Sequence, residues 1–286
     1  MRTDGKNLIE EWQNQRSIER TAEYIWHRQQ LDEIDIQKTD NLLGLFEGDH
    51  TLYNIDILNN GLEHQEPTLT DMTVKAIKML QKEDNGFFLF VEGGKIDMAH
   101  HATQPHKAME ETREFARAIE AARFMTDEAD TLIVVSSDHS HAFTYNGYPG
   151  SGSGILGVGD KSDIDNLPYE TLSYANGPGY STTYQNGTNI RVDITQQDFK
   201  DPQRRASTTV PLASETHAAD DVGVYASGPW SHLFTGSYEQ NIIPVAMAYA
   251  AKIGDFSPEK GGTCAGTMNI ISFGMLVVLL FISNLL

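Results

Sequence analysis

The chain's pattern predicts an α/β fold built on a doubly wound, largely parallel sheet. Three observations carry this. Two apolar runs of strand length, residues 87–91 and 131–136, are rich in aromatic or β-branched side chains, as strands buried on both faces are. Helix-patterned stretches, 68–82 and 110–125, precede each run, so helix and strand alternate. The 286 residues suffice for one large α/β domain, or for one domain with an insert.

Taken in order, residues 6–30 read as helical, with Leu8, Ile9, Trp12, Ile18, Tyr24 and Ile25 at helix-like spacing. Residues 41–46 read as a short buried strand, followed by a turn at Gly48, Asp49 and His50. The helix at 68–82 takes Thr70 or Asp71 as its cap and turns Val74, Ile77, Met79 and Leu80 inward, and Asn85 and Gly86 end it. The strand 87–91 follows. The helix at 110–125 carries Phe115, Ala118, Ile119 and Ala122 on one stripe, and the strand 131–136 comes after it. Residues 144–160 hold Gly147, Gly150, Gly152, Gly154, Gly157 and Gly159 without the Gly-Lys-Ser/Thr of a phosphate-cradling loop, so they read as a flexible connection. Residues 161–212 lack long periodicity. A strand at 222–226 and a closing helix at 238–253, with Ile242, Ile243, Val245, Ala246 and Tyr249 inward, complete the pattern.

A formal net charge of −19 and the lack of a long basic patch exclude nucleic acid as the expected partner. Cys264 is the single cysteine, so no disulfide forms within the chain and any zinc must be held by nitrogen and oxygen. The ends disagree with each other. Residues 1–20 carry charges where a secretory signal would carry an apolar core. Residues 270–286 form an apolar tail after the small-residue run 261–266, the pattern of a glycosylphosphatidylinositol (GPI) attachment signal cleaved near Gly261. A chain with the second signal and not the first reads as a fragment or an incomplete gene model.

The chemistry gathers where strands end. Glu92 stands at the end of the run 87–91, Gly93 and Gly94 turn the chain, and Asp97 and His101 follow four residues apart, on one face if the segment is helical. Such a pair alone is more often a solvated helix face. Here it follows a strand end, where open α/β sheets place their ligands. Asp138 and His139 end the second run and can converge on one ion only if the strand breaks there. His217, in Ser214-Glu215-Thr216-His217, borders the third strand. Carboxylates and imidazoles are the ligand types of Mg²⁺ and Zn²⁺.

These motifs, Val91-Glu92-Gly93-Gly94-Lys95-Ile96-Asp97 with His101, Ser137-Asp138-His139-Ser140-His141, and Glu215-Thr216-His217-Ala218, resemble the animal alkaline phosphatases in kind, order and spacing. Asp4-Gly5-Lys6-Asn7-Leu8, Gly44-Leu45-Phe46-Glu47 and Asn176-Gly177-Pro178-Gly179-Tyr180 extend the resemblance along most of the chain.

The resemblance implies a hydrolase of small phosphate monoesters, working at two zinc ions and one magnesium through a phosphoserine intermediate. It assigns Asp97, His101 and His217 to the first zinc, Asp138 and His139 to the second, and Glu92 to magnesium. It adds a calcium site at Phe46 (through its carbonyl), Glu47 and Glu66, residues whose chemistry alone reads equally well as a strand-end turn. It implies a homodimer, held by a GPI anchor on the extracellular face of the plasma membrane. Asn186 begins a glycosylation sequon that suits such a surface.

In domains, the resemblance divides the chain into 1–160, the later half of the metal-hydrolase core; 161–212, a crown-like insert; 213–256, the return to the core; and 257–286, the attachment signal and apolar tail. The family's nucleophilic serine, its shared aspartate and its phosphate-binding arginine belong to a segment that would precede Met1, so this stretch alone is expected to be inactive. The alternative is a non-catalytic, GPI-anchored metal-binding protein derived from a phosphatase. Met98 departs from the polar or basic residue common in relatives just after this aspartate, which implies an altered pH dependence or phosphate affinity.

Overall fold

The computed structural model describes residues 3–16, 18, 21–185 and 188–257, and the backbone of 276–281. The described elements run α1 (Leu8–Arg16), β1 (Ala22–Ile25), α2 (Arg28–Glu33), β2 (Asn41–Gly44), α3 (Asn54–Asn60), α4 (Leu69–Leu80), β3 (Phe88–Glu92), α5 (Lys95–His101), α6 (Pro105–Met125) and β4 (Thr131–Ser136). Then come β5 (Ser140–His141), β6 (Phe143–Tyr145), β7 (Val158–Lys161), β8 (Pro168–Glu170), β9 (Leu172–Gly177), α7 (Tyr180–Thr183), β10 (Thr208–Pro211), β11 (His217–Ala218), β12 (Val224–Ser227), α8 (Ile242–Ala251) and β13 (Leu276–Phe281).

The central sheet has the order β12-β4-β13-β3. β13 pairs parallel with both β3 and β4, and β12 closes the other edge antiparallel. The fully buried β4 points successive side chains to opposite faces. Ile133 and Val135 meet Val91, Ile77, Ile96, Phe115 and Ala122, so α4, α5 and α6 cover that face. Leu132 and Val134 meet Phe234, Ile243, Ala246, Met247 and Ala250, so α8 covers the other. A mostly parallel sheet with helices on both faces is the predicted fold class. Burying each of these aliphatic side chains contributes about 1.5–3 kcal/mol, so β4, with four of them, anchors the core.

Three local expectations are corrected. The helix expected over 6–30 stops at Arg16, and residues 22–25 form β1, paired in parallel with β2. Partnership with a second strand outweighs the helical spacing of a short, partly apolar run. The cap of α4 is Thr68, not Thr70 or Asp71. The Thr68 side chain accepts the Asp71 N–H at 3.1 Å, and Asp71 accepts the Thr68 N–H at 2.9 Å, a reciprocal box that puts Thr70 and Asp71 inside the first turn. The helix expected from 110 begins at Pro105, whose missing N–H costs nothing at a first helical position.

Between β5 and β11 the chain forms small sheets of its own. β9 lies between β10 and β6, and β7 pairs with β8. The glycine-rich stretch leads from β6 into β7. The expected glycosylation site Asn186 and anchor site Gly261 lie outside the described residues. No described helix is long and apolar enough to cross a membrane.

Candidate metal centre

Gly93 and Gly94 join the end of β3 to α5. A side chain at Gly93 would come within 2.9 Å of the Phe115 ring, so glycine lets α5 start hard against α6. On α5, Asp97 and His101 stand one turn apart, with Asp97 Oδ2 3.3 Å from His101 Nε2. The other Asp97 oxygen is 3.3 Å from His217 Nε2, and the two imidazole Nε2 atoms are 3.1 Å apart. β11 brings His217 there by pairing antiparallel with β5, opposite His141.

The strand is expected to break before Asp138 and His139 can converge, and β4 ends at Ser136. Beyond β4, His139 Nε2 lies 3.3 Å from Asp138 Oδ2 and 3.8 Å from Asp97 Oδ1. The His139 and His217 rings stack at 3.5 Å. The structure therefore gathers all five residues that the sequence nominated for zinc.

The ring orientations suit metal binding. His101 Nδ1 donates to the Glu215 carbonyl at 2.5 Å, and His139 Nδ1 faces the Ser140 carbonyl at 3.2 Å. A backbone acceptor at Nδ1 leaves the Nε2 lone pair for a ligand. Burial opposes a charge on Asp97, but the His141 hydrogen bond and the imidazoles of His101, His141 and His217 outweigh it, and the carboxyl is held below its ordinary range.

His141 and Glu215 entered the sequence motifs without a role of their own. His141 Nε2 lies 2.7 Å from Asp97 Oδ1, and Nδ1 lies 2.6 Å from Glu215 Oε2. Burial works against protonating His141, but the two carboxylate bonds prevail and push it up to about 9. Its ligand atoms fall within 4.8 Å of those of Asp97, His139 and His217, and likewise of His101 and Glu215. With both ring nitrogens on carboxylates, it has no lone pair to offer and serves as a brace for Asp97. A carboxylate pair bracketing one imidazole is invisible in the sequence, where these residues are 44 and 74 positions apart. Next to it, His100 Nδ1 meets the Tyr174 hydroxyl at 2.8 Å, and burial lowers His100 to about 3, so it stays neutral.

Glu92 falls in neither cluster. It shares with Lys95, Asp97, Met98 and Glu111 the lining of an open cleft of about 410 Å³. Phe46, Glu47 and Glu66 border one further cleft. There, burial raises the Glu66 carboxyl, the Leu52 N–H at 2.9 Å counters in part, and the neighbouring Glu47 carboxyl raises it further. Two adjacent carboxyls with this conflict are a place where a cation would be welcome.

The 410 Å³ cleft carries a pH-dependent liability. Burial pushes Glu111 from 4.5 up to about 7, against the Asn54 N–H and Lys95, while Glu114 and Glu110 add to the rise. A carboxyl whose folded value lies above its unfolded one binds its proton more tightly when folded. It costs no stability below about pH 4.5, and the cost grows as pH rises through about 7. Glu111→Gln keeps an oxygen for the Asn54 N–H, which Glu111 Oε1 accepts at 2.5 Å. The variant is expected to gain up to about 3 kcal/mol in urea unfolding at pH 8, and nothing at pH 4. Equal gains at both pH values would contradict this account.

Carboxylate and imidazole groups converging beyond the strand ends of a largely parallel sheet define an α/β protein able to hold metal ions through nitrogen and oxygen. The family model for alkaline phosphatase matches residues 1–253, and the chain belongs to that family. It is 44% identical to the membrane-bound alkaline phosphatase of Bombyx mori over 89% of its own length and 45% of that protein's. It is 43% identical to the alkaline phosphatase of Gadus morhua, covering 88% of itself and 51% of the relative. The chain thus spans about half the length of the curated relatives it matches. Among solved structures, the cold-active alkaline phosphatase of a psychrophilic Shewanella species superposes with a TM-score of 0.54 at 21% identity, over 85% of this chain and 61% of that one. At that identity the likeness speaks for the fold.

Proposed function

We propose that these residues form the metal-ligating part of an alkaline phosphatase site for phosphate monoesters. One observation carries the reading. The Asp97 carboxylate sets one oxygen 3.3 Å from His101 Nε2 and the other 3.3 Å from His217 Nε2, those two nitrogens stand 3.1 Å apart, and Asp138 and His139 present two ligand atoms at 3.3 Å. Ligands about 2.0 Å from a tetrahedral zinc stand about 3.3 Å from one another, so both spacings match edges of such a tetrahedron. We assign Asp97, His101 and His217 to one zinc, Asp138 and His139 to the second, and Glu92 to a magnesium that keeps most of its water. Once bound, the two zinc ions would stabilise charge on the attacking and leaving oxygens of an in-line displacement. The chain's own contribution is orientation. The Glu215 and Ser140 carbonyls turn the Nε2 atoms of His101 and His139 toward the ions, and His141 holds Asp97 in its anionic form. Phe46, Glu47 and Glu66 are the proposed calcium site.

Zinc titration of the metal-free chain by calorimetry tests the assignment. Two sites per chain are expected, with one lost in His101→Ala. A single weak site unaffected by that change would refute it.

The domain divisions 1–160, 161–212, 213–256 and 257–286 follow the same resemblance, as do glycosylation at Asn186 and a homodimer. We further propose attachment to the cell surface through a GPI anchor near Gly261. The name of the Bombyx mori relative supports a membrane location. This reading requires residues 276–281 to leave the central sheet when the tail is removed. Phosphatidylinositol-specific phospholipase is expected to release the cell-surface form into the medium. Full retention after treatment would exclude the anchor.

A further inference from the structure

We propose that Glu215 is a positioning residue for the metal centre, and that its carboxylate acts on Asp97 through His141. This deepens the zinc reading above and rests on it. Glu215 is 1% exposed, and its polar atoms reach both sides of the site. Its N–H donates to the His101 carbonyl at 2.9 Å, and its own carbonyl accepts from His101 Nδ1 at 2.5 Å. In its side chain, Oε1 accepts the Ala142 N–H at 2.6 Å and Oε2 accepts His141 Nδ1 at 2.6 Å. The far nitrogen of His141 then meets Asp97 Oδ1 at 2.7 Å. One residue therefore sets the ring of one ligand histidine and, through a second imidazole, the carboxylate of another ligand.

The surroundings explain why this task falls to Glu215. β5 and β11 pair over only two residues each, too short a ladder to hold His217 against α5 unaided. The Glu215 carboxylate adds bonds to His141 and Ala142, at the far end of the pairing. Asn176 accepts the Thr216 N–H at 2.9 Å, holding the next residue. Gly177, at φ +124°, would set a Cβ 2.9 Å from the Glu215 Cβ and 2.7 Å from Thr103 Cγ2, so only glycine lets β9 close over Glu215. The Asn176-Gly177 part of the motif is accounted for by this packing.

Both carboxylate oxygens are committed as acceptors. Glutamine has one acceptor oxygen, and its amide would face either the Ala142 N–H or the His141 N–H, donor against donor. Glu215→Gln is therefore expected to lower zinc affinity at the Asp97, His101 and His217 site roughly 10- to 100-fold, the usual effect of removing a partner behind a metal ligand. A structural defect alone could also weaken binding, so the readout is a double-mutant cycle with His141→Gln in the 286-residue chain. If Glu215 works through His141, the double variant binds zinc no more weakly than the weaker single variant. Additive losses overturn the proposal.

A second measurement needs no substitution. In the metal-free chain, nitrogen NMR should show a slowly exchanging Nδ1 proton on His141, and its absence overturns the proposal even if Glu215→Gln fails to fold. His101→Ala reports on the zinc reading separately. Full zinc affinity in that variant would remove the premise, whatever the cycle shows.

Discussion

Asp97→Ala is expected to lower zinc affinity at the first site by roughly 100-fold or more, since even partners behind a ligand are worth 10- to 100-fold. Asp97 is the carboxylate on which the centre converges. One oxygen lies 3.3 Å from His101, and the other lies 3.3 Å from His217, 2.7 Å from His141 and 3.8 Å from His139. Removing it leaves the first site two imidazoles, below the usual set of three protein ligands. It also leaves His141 facing Glu215 alone, without the bond that held it in place. Asp138→Ala supplies the contrast. Its carboxylate is half exposed and meets His139 alone among the cluster's imidazoles, so that variant should lose the second zinc and keep the first. Competition against a chelating dye measures both. An Asp97→Ala affinity within threefold of the unsubstituted chain would show that Asp97 is not a ligand.

The strands β3 and β4 and the helices around them were legible because uninterrupted apolar runs and a 3.6-residue stripe reflect burial directly. The five zinc candidates were legible because Asp138, His139 and His217 sit at strand borders, Asp97 and His101 lie one helical turn apart just after a strand end, and their order matched known motifs. The break in the first helical stretch was not, since β1 exists by virtue of its pairing with β2, and no residue among 22–25 announces a partner. The roles of His141 and Glu215 were hidden for a related reason. A histidine beside a ligand histidine and a glutamate before a Thr-His pair look ordinary until the fold stacks β5 on β11. Only the contact distinguishes a brace from a ligand.

The tail illustrates the same limit from the other side. Residues 270–286 read as an apolar attachment signal, yet the backbone of 276–281 lies between β3 and β4 with five and six paired positions respectively. Apolarity marks a segment that avoids water and does not say whether a sheet or a membrane receives it. Phe88 and Phe90 on β3 remain half exposed, at 56% and 50%, so this side of the sheet presents apolar surface that favours association.

Residues 1–286, expressed alone with zinc and magnesium, are expected to show no enzymatic hydrolysis of a chromogenic phosphate monoester. The groups proposed as metal ligands are present, but among the described residues no second set of reacting groups is found beside them. The serines that flank the ligands are engaged: Ser136 Oγ donates to the Ser137 and Gly223 carbonyls, Ser137 Oγ to the His139 carbonyl at 2.7 Å, and Ser140 Oγ to Asp220. The one side-chain acceptor among these, Asp220 Oδ2, stands 3.4 Å from Ser140 Oγ, beyond the about 2.6–3.2 Å reach at which a base activates a nucleophile. The arginines seen in ion pairs, Arg28, Arg113, Arg117, Arg191 and Arg204, bind Asp71, Glu110, Glu114, Asp165 and Glu170, so none of them is a spare bidentate clamp for phosphoryl oxygens. The second zinc would have Asp138 and His139, with Asp97 more distant at 3.8 Å from His139. Monodispersity should be confirmed first, because the half-exposed face of β3 can draw the chain into aggregates. Zinc-dependent turnover by the monodisperse chain, abolished in His217→Ala, would show that one of these serines, or a group not yet recognised, is the nucleophile.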